Sequence, residues 1–413
     1  MDSEKGGVVL PQLRGSRLPA FFSVMFVFNM AANFVHPVTP SIIQTLGLSD
    51  YMFGLALASQ MFVNFLLSPF WGRLNDYISS RRTLLICGLG YALGQVFFAL
   101  SRSELQFVLA RMFAGAFVGG AYVSFLTYVV NVSDKPAVGR GMAITATVQS
   151  VSSSFGYFIG GMLGEIDVFL SVWVQAATLA ACAFAFFLLM ADDTQESLAS
   201  IDARSLTRQC NPFSAFLACR HFMTRMFAVL FLMYGLSNLG YIAFDQCFNY
   251  YIRDQFGLSS GYNGIIKAVL GIISLAANST ICMWILRRKD TPRYMVGVMF
   301  ICTISMAGVI LLESLVPFII ANVLFLAFYF ISTPLFQSMV AESGRGGDSN
   351  LIMGMTNAVK SLGNIFGALF AGFIYEINAR LPFVFGFIAF AAASALMTAY
   401  WRMERNRQAD RGA

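Results

Sequence analysis

The chain has 413 residues, of which 57% are hydrophobic and 12% are charged, and its formal net charge is +6. Soluble globular domains carry about 25% charged residues, so this composition excludes an ordinary soluble protein. Because about 20 apolar residues in one helix cross a bilayer core, the repeated apolar runs of the chain predict a membrane-embedded helical bundle.

Twelve apolar stretches follow one another along the chain and predict an all-α membrane protein with twelve transmembrane helices. In chain order they cover residues 19–45, 52–71, 83–101, 105–131, 139–164, 168–190, 226–251, 260–286, 292–312, 315–341, 351–375 and 379–401. A polar stretch after the sixth span divides the chain into an N-terminal six-helix bundle (1–190), a cytoplasmic linker (191–225) and a C-terminal six-helix bundle with a cytoplasmic tail (226–413).

The basic residues between the spans predict the orientation of the bundle. The termini and the loops on their side carry 21 Lys and Arg residues, whereas the opposite loops carry three, Arg102, Arg253 and Arg380. Cytoplasmic loops of membrane proteins are enriched in Lys and Arg. We therefore expect a multi-pass protein of the cell membrane, with both termini cytoplasmic and short loops that suit a bacterial cytoplasmic membrane. The positive charge follows from this topology, and no nucleic-acid partner is expected.

The two sets of six spans are related in sequence. An offset of 211 residues aligns the fifth span with the eleventh and gives nine identities without a gap, including Gly161 with Gly372 and Glu165 with Glu376. Shared hydrophobicity alone would not give this number of identities. The halves are therefore predicted to be two parallel six-helix pseudo-repeats.

The loop after the second span carries a motif, G-R-L-N-D-Y-I-S-S-R-R, that begins at Gly72. It resembles the G-x-x-x-D-R-x-G-R-R signature of the major facilitator superfamily, although Tyr77 replaces the usual Arg. The resemblance implies the facilitator fold and gating roles for Gly72, Asp76, Arg81 and Arg82. In that family the Asp lies near the cytoplasmic start of the eleventh helix, where a helix N-terminus favours an anion, and helps to hold the outward-open state.

Two further segments resemble motifs of proton-coupled exporters in the same superfamily. In the fourth span, R-M-F-A-G resembles R-x-x-Q-G, with Ala114 in place of Gln. In the fifth span, G-Y-F-I-G-G resembles the antiporter motif G-P-x-x-G-G, with Tyr157 in place of Pro. Close helix packing is an equally good explanation for the glycines of both motifs, which are Gly115, Gly156, Gly160 and Gly161.

Polar and ionisable residues inside the spans are the candidate substrate and proton pathway. A charged side chain at the bilayer centre costs about 2.5–3.5 kcal/mol on insertion scales, so each such residue calls for a partner or a function. The resemblance places helices one, four, seven and ten around a central cavity, with two, five, eight and eleven beside it. The candidates on these helices are Asn33, His36, Arg111, Gln149, Asn238, Tyr241, Asp245, Lys267, Asn357 and Lys360. Hydrogen bonding between helices is the alternative explanation for these residues.

The charges among these candidates suggest two hypotheses. Asp245 and Lys267 lie in adjacent spans and are predicted to neutralise each other. Proton coupling is predicted to run through His36 and Asp245, with Arg111 tuning them, because an imidazole titrates near pH 6.5. Three positive groups against one acid make a substrate with a carboxylate or phosphate group plausible.

The sequence thus predicts a secondary active transporter that moves a small organic solute by alternating access. Proton-coupled export is the leading interpretation, and proton-coupled uptake of an organic anion or nutrient is the alternative; a channel or a receptor is the alternative of another class. An enzyme is not expected, since there is no nucleotide-binding glycine loop and no HExxH motif. No cofactor or metal is expected, and the partners are the substrate, protons and the lipid bilayer around a monomer.

Overall fold

The computed structural model describes residues 17–133, 138–193, 211, 213, 223–288, 290–343 and 349–412. This described part of the chain is helical throughout, with no β-strand. Its helices are α1 (Arg17–Ala32), α2 (Thr39–Thr45), α3 (Met52–Tyr77), α4 (Ser80–Leu100), α5 (Glu104–Val132), α6 (Val138–Ile166), α7 (Val168–Leu189), α8 (Arg225–Asp254), α9 (Ser260–Ala277), α10 (Met283–Leu286), α11 (Thr291–Leu311), α12 (Leu315–Ser343), α13 (Ser349–Ile377) and α14 (Leu381–Gly412). Most of the predicted linker lies outside the described residues.

These helices form the twelve predicted crossings. The pair α1 and α2 makes the first crossing, and α9 and α10 make the eighth together with a π-helical turn over Asn278–Cys282. Ten of the described helical segments are long and apolar enough to span a membrane by themselves. The two remaining crossings are the interrupted first one and α6, which carries many polar residues. The twelve-helix fold is confirmed.

The first crossing is broken, so the predicted continuous helix over residues 19–45 is wrong. The chain leaves the helix after Ala32 and re-enters it at Thr39. Pro37 lies in the break, and a proline lacks a backbone N–H and disfavours helical geometry in the residue before it. Pro40 stands in the first turn of α2, where proline is favoured. The two prolines therefore explain where the helix stops and where it restarts.

Gln175 of α7 stabilises this break. Its Oε1 accepts a hydrogen bond from the Val35 N–H at 3.2 Å, and its Nε2 donates to the Ala32 carbonyl oxygen at 3.4 Å. The Gln175 side chain is completely buried. Because lipid offers no hydrogen bonds, irregular backbone is tolerated at membrane depth only where the protein or cavity water satisfies it. Gln175 thereby fixes the turn that carries His36.

The two halves, α1–α7 and α8–α14, meet at one end of the bundle. We call it the distal end, because the first and last described residues lie at the opposite, terminal end. There α6 crosses α9 and α3 crosses α13. Gly161 faces Gly264 in the first crossing, and Gly372 faces Gly54 in the second. Gly161 and Gly372 are separated by 211 residues, the offset of the sequence repeat, and Gly54 and Gly264 are separated by 210.

The glycines are required at both crossings. A Cβ atom on Gly161 would lie 2.6 Å from the Ser260 carbonyl oxygen, and one on Gly372 would lie 2.5 Å from the Tyr51 carbonyl oxygen. Real Cβ atoms do not approach oxygen so closely, so any larger residue would push the backbones apart. Small residues allow helices in membranes to pack this tightly. The pseudo-symmetric glycines therefore hold the distal end closed.

Candidate functional site

A small cavity lies between the halves, directly inside the distal end. Its volume is about 20 Å³, so it holds about one water molecule in this conformation. Its polar lining comes from the N-terminal half through His36, Thr39 and Arg111 and from the C-terminal half through Gln246, Asn249 and Tyr250. Groups from both halves therefore face the same space.

A layer of contacts between the halves separates this cavity from the distal surface. The rings of Phe53 and Tyr250 stack with their centroids 4.9 Å apart, and the Tyr250 hydroxyl donates a hydrogen bond to Asp50. The hydroxyls of Ser41 and Ser260 are hydrogen-bonded at 2.9 Å. We call these residues the distal closure.

Arg111 brings a positive charge to the cavity without an acidic partner. Its side chain is buried, and its guanidinium donates to Gln60 Oε1 and to Thr39 Oγ1, each at 3.3 Å. The guanidinium carbon lies 3.9 Å from the centroid of the Phe98 ring. Within the described residues no carboxylate lies within 4.0 Å of Arg111. Its charge is therefore held by neutral groups, and an anion in the cavity would complete its coordination.

Asp245 and Lys267 form an ion pair across α8 and α9. Only 8% of the Asp245 side chain and 10% of the Lys267 side chain are exposed. The Lys267 ammonium also lies near two aromatic rings, 5.6 Å from the centroid of Tyr157 and 5.5 Å from the centroid of Phe248. The predicted pairing is confirmed, and it leaves neither charge free in this conformation.

His36 packs against the same Tyr157 ring. The two rings stack with centroids 5.6 Å apart and an angle of 13° between their planes. Tyr157 thus lies close both to His36 of the N-terminal half and to Lys267 of the C-terminal half. The sequence singled out Tyr157 only as a departure from the antiporter motif. Nothing in the spacing of the chain places it beside the ion pair.

Lys360 lies elsewhere on the path between the halves. On α13, Asn357 and Lys360 are exposed, on a different face from the exposed aromatic residues Phe366, Phe370 and Phe373. Gly372, at the crossing of α3 and α13, lies twelve residues further along, about 18 Å of helix rise. Lys360 is therefore an exposed residue of α13 that lies far from the distal crossing.

The neutral candidates make hydrogen bonds or ring contacts between helices. The Ser153 hydroxyl donates to Asn33 Oδ1 at 3.0 Å, which ties α6 to α1. The Tyr329 hydroxyl donates to Asn238 Oδ1 at 3.2 Å, and the Tyr241 ring stacks on Tyr329 at 4.0 Å. Gln149 is half-buried on α6. For Asn33, Asn238 and Tyr241 these contacts favour the alternative of packing between helices.

The residues predicted to gate the transporter contact their own half. Arg81 donates to Asp192 Oδ2 at 2.6 Å, and Arg82 lies 4.0 Å from the same oxygen. Asp192 follows α7, so these ion pairs join α4 to the end of the N-terminal half. A Cβ atom on Gly72 would lie in ordinary contact with Val123 of α5. The side chain of Asp76 lies outside the described part of the structure.

The four motif glycines occupy close helix contacts. Gly115 of α5 faces the Gln60 backbone, whereas Gly156 and Gly160 face Met30 and Phe34 in and after α1. Gly161 is the one of the four that faces the other half.

No group of three or more His, Cys, Asp or Glu side chains that could hold a metal ion occurs among the described residues.

Comparisons with known proteins agree with this architecture. The family model described as Major Facilitator Superfamily matches residues 21–363. Multidrug resistance protein 2 of Bacillus subtilis is 21% identical over 392 residues, which cover 93% of this chain and 94% of that protein. Quinolone resistance protein NorA of Staphylococcus aureus is 22% identical over 376 residues, with 88% and 90% covered.

Two solved structures have the same fold. A bacterial homologue of the human lysosomal transporter Spinster, in an inward-facing and unoccupied conformation, superposes with a TM-score of 0.75 at 14% identity and covers 95% of this chain and 97% of its own. The human organic anion transporter MFSD10 gives a TM-score of 0.68 at 18% identity, with 94% and 100% covered.

Proposed function

This chain belongs to the Major Facilitator Superfamily, and we propose that it is a proton-coupled exporter of small organic anions in a bacterial cytoplasmic membrane. The observation that carries the proposal is the Arg111 guanidinium, which is buried, lines the cavity between the halves and lacks an acidic partner within the described residues. A buried charge is costly unless it is paired. A carboxylate or phosphate group of the substrate would provide that pairing.

The balance of charge along the path supports an anionic substrate. The Asp245 carboxylate is already neutralised by Lys267, whereas Arg111 and the exposed Lys360 have no carboxylate partner in the described chain. A positively lined cleft with apolar walls raises the local concentration of anions. Lys360 would attract the anion as it enters, and Arg111 would hold it beneath the distal closure.

The orientation proposed from the loop charges assigns the direction. If the terminal end is cytoplasmic, as the excess of Lys and Arg there indicates, the distal closure shuts the external side. The exposed Lys360 would then be reached from the cytoplasm, and the conformation would correspond to that of the inward-facing relative of the same fold. The names of the bacterial relatives, which are resistance proteins, favour export.

The membrane potential also favours export of an anion in exchange for a proton. Moving one elementary charge across 100 mV is worth about 2.3 kcal/mol. One anion leaving and one proton entering move two charges in the favourable direction, or about 4.6 kcal/mol per 100 mV. In this scheme the proton enters through Asp245 when the distal end opens and water reaches the ion pair. His36 lies near the same pair and stays a candidate for the second proton-handling group.

Transport in proteoliposomes tests the proposal. Wild type should move organic anions against a gradient when a pH gradient is imposed, and should move cations of similar size much less. Arg111→Ala should lose anion transport, whereas Arg111→Lys should keep part of it because the charge remains. Gradient-driven transport of cationic compounds that survives in Arg111→Ala would refute the anion assignment. Anion movement with the proton, rather than in exchange for it, would favour the second candidate, uptake.

A further inference from the structure

We propose that Tyr157 is a positioning residue that shields the Asp245–Lys267 ion pair only while the distal end is closed. The inference deepens the proposed function, because it identifies how the proton site would be made inaccessible in one conformation. It rests on contacts that cross from one half of the protein to the other.

Tyr157 packs beside side chains from outside α6. Its ring lies 5.6 Å from the Lys267 ammonium on α9 and stacks on His36 in the break between α1 and α2. Asp245 and Asn249 lie one turn apart on α8. Asn249 is buried, and its Oδ1 has no hydrogen-bond partner within the described residues. The tyrosine therefore covers the side of the ion pair that faces the N-terminal half.

Tyr157 belongs to the N-terminal half, whereas the Asp245–Lys267 ion pair belongs to the C-terminal half. Tyr157 is on α6, one turn before Gly161 at the crossing with α9. The Tyr157 carbonyl oxygen itself is part of this crossing, because a Cβ atom on Gly264 would lie 2.6 Å from it. Any motion that separates α6 from α9 must therefore withdraw the Tyr157 ring from Lys267. Opening of the distal end and exposure of the ion pair become one event.

The residue type at position 157 decides whether the ion pair is shielded. A proline at position 157, as in the motif that this segment resembles, offers no aromatic face to an ammonium. A tyrosine offers one, and an ammonium over an aromatic face is attracted most strongly when water is excluded. The shield is therefore a feature of this chain's own sequence.

Chemical modification of lysines tests the shield without any substrate. The chain has five lysines, and Lys267 and Lys360 are the two inside the predicted spans. The purified full-length protein in nanodiscs is treated with a water-soluble acylating reagent, and modification of each lysine is followed by mass spectrometry. In wild type, Lys360 should react while Lys267 is protected. Tyr157→Leu should raise the rate at Lys267 about tenfold and leave Lys360 unchanged, whereas Tyr157→Phe should stay close to wild type.

Two controls separate shielding from general disruption. Phe158→Leu removes the neighbouring ring, which is 39% exposed, and should not change Lys267. Joining Ser41→Cys to Ser260→Cys with a short thiol cross-linker should hold the distal end closed and lower Lys267 modification in the wild-type background, but not in Tyr157→Leu. An unchanged Lys267 rate in Tyr157→Leu, or a rate that rises equally at Lys360, would overturn the inference. Because no transport is measured, failure of the anion proposal would leave this result intact.

Discussion

Replacing Asp245 with asparagine removes the negative member of the ion pair and leaves the Lys267 ammonium in a site of the same shape. The two side chains are 8% and 10% exposed, so little water would reach the uncompensated charge. Removing one partner of a buried ion pair costs about 3–5 kcal/mol. For a helical half of roughly 200 residues this corresponds to a fall in the melting temperature of about 10 °C.

Thermal unfolding of the purified protein, followed by tryptophan fluorescence, measures the effect. The double variant Asp245→Asn/Lys267→Met should recover most of the lost stability, because it removes the unpaired charge. Glu313→Gln serves as the control, since its ion pair with Arg380 is largely exposed and such pairs contribute at most about 1 kcal/mol. Asp245→Asn within about 2 °C of wild type, or a double variant no more stable than either single variant, would refute the reasoning.

Gly372→Ala should weaken the distal closure, because the new Cβ atom would lie 2.5 Å from the Tyr51 carbonyl oxygen of the other half. Labelling of Ser260→Cys by a membrane-impermeant maleimide should rise in this variant but not in Gly297→Ala, where a Cβ atom has nothing within 4 Å; equal labelling in both would exclude the crossing as the closing element. Gln175→Leu should destabilise the protein by about 1–3 kcal/mol through loss of hydrogen bonds to the broken first crossing. Denaturant unfolding would detect this cost, and wild-type stability would show that other groups satisfy the break.

The sequence predicted the number of crossings, the fold family and one contact of the site. Apolar runs of membrane-spanning length are a local property, so they can be counted without knowing how the helices pack. The pairing of Asp245 with Lys267 was also accessible, because a buried charge requires a partner and few candidates exist within the spans. Pro37 and Pro40 mark the interruption of the first crossing. The apolar stretch around them was nevertheless predicted as one continuous helix, because the break lasts only six residues.

The sequence by itself thus determined that the chain is a twelve-helix transporter of the Major Facilitator Superfamily with more basic than acidic residues among the candidates within its spans. Only the tertiary structure showed which residues of one half contact which residues of the other. Gly161 and Gly372 could be matched through the repeat, yet their partners Gly264 and Gly54 follow from how the halves meet. Tyr157 becomes a shield for the same reason: its role depends on side chains that are distant in sequence and adjacent only when α6 crosses α9.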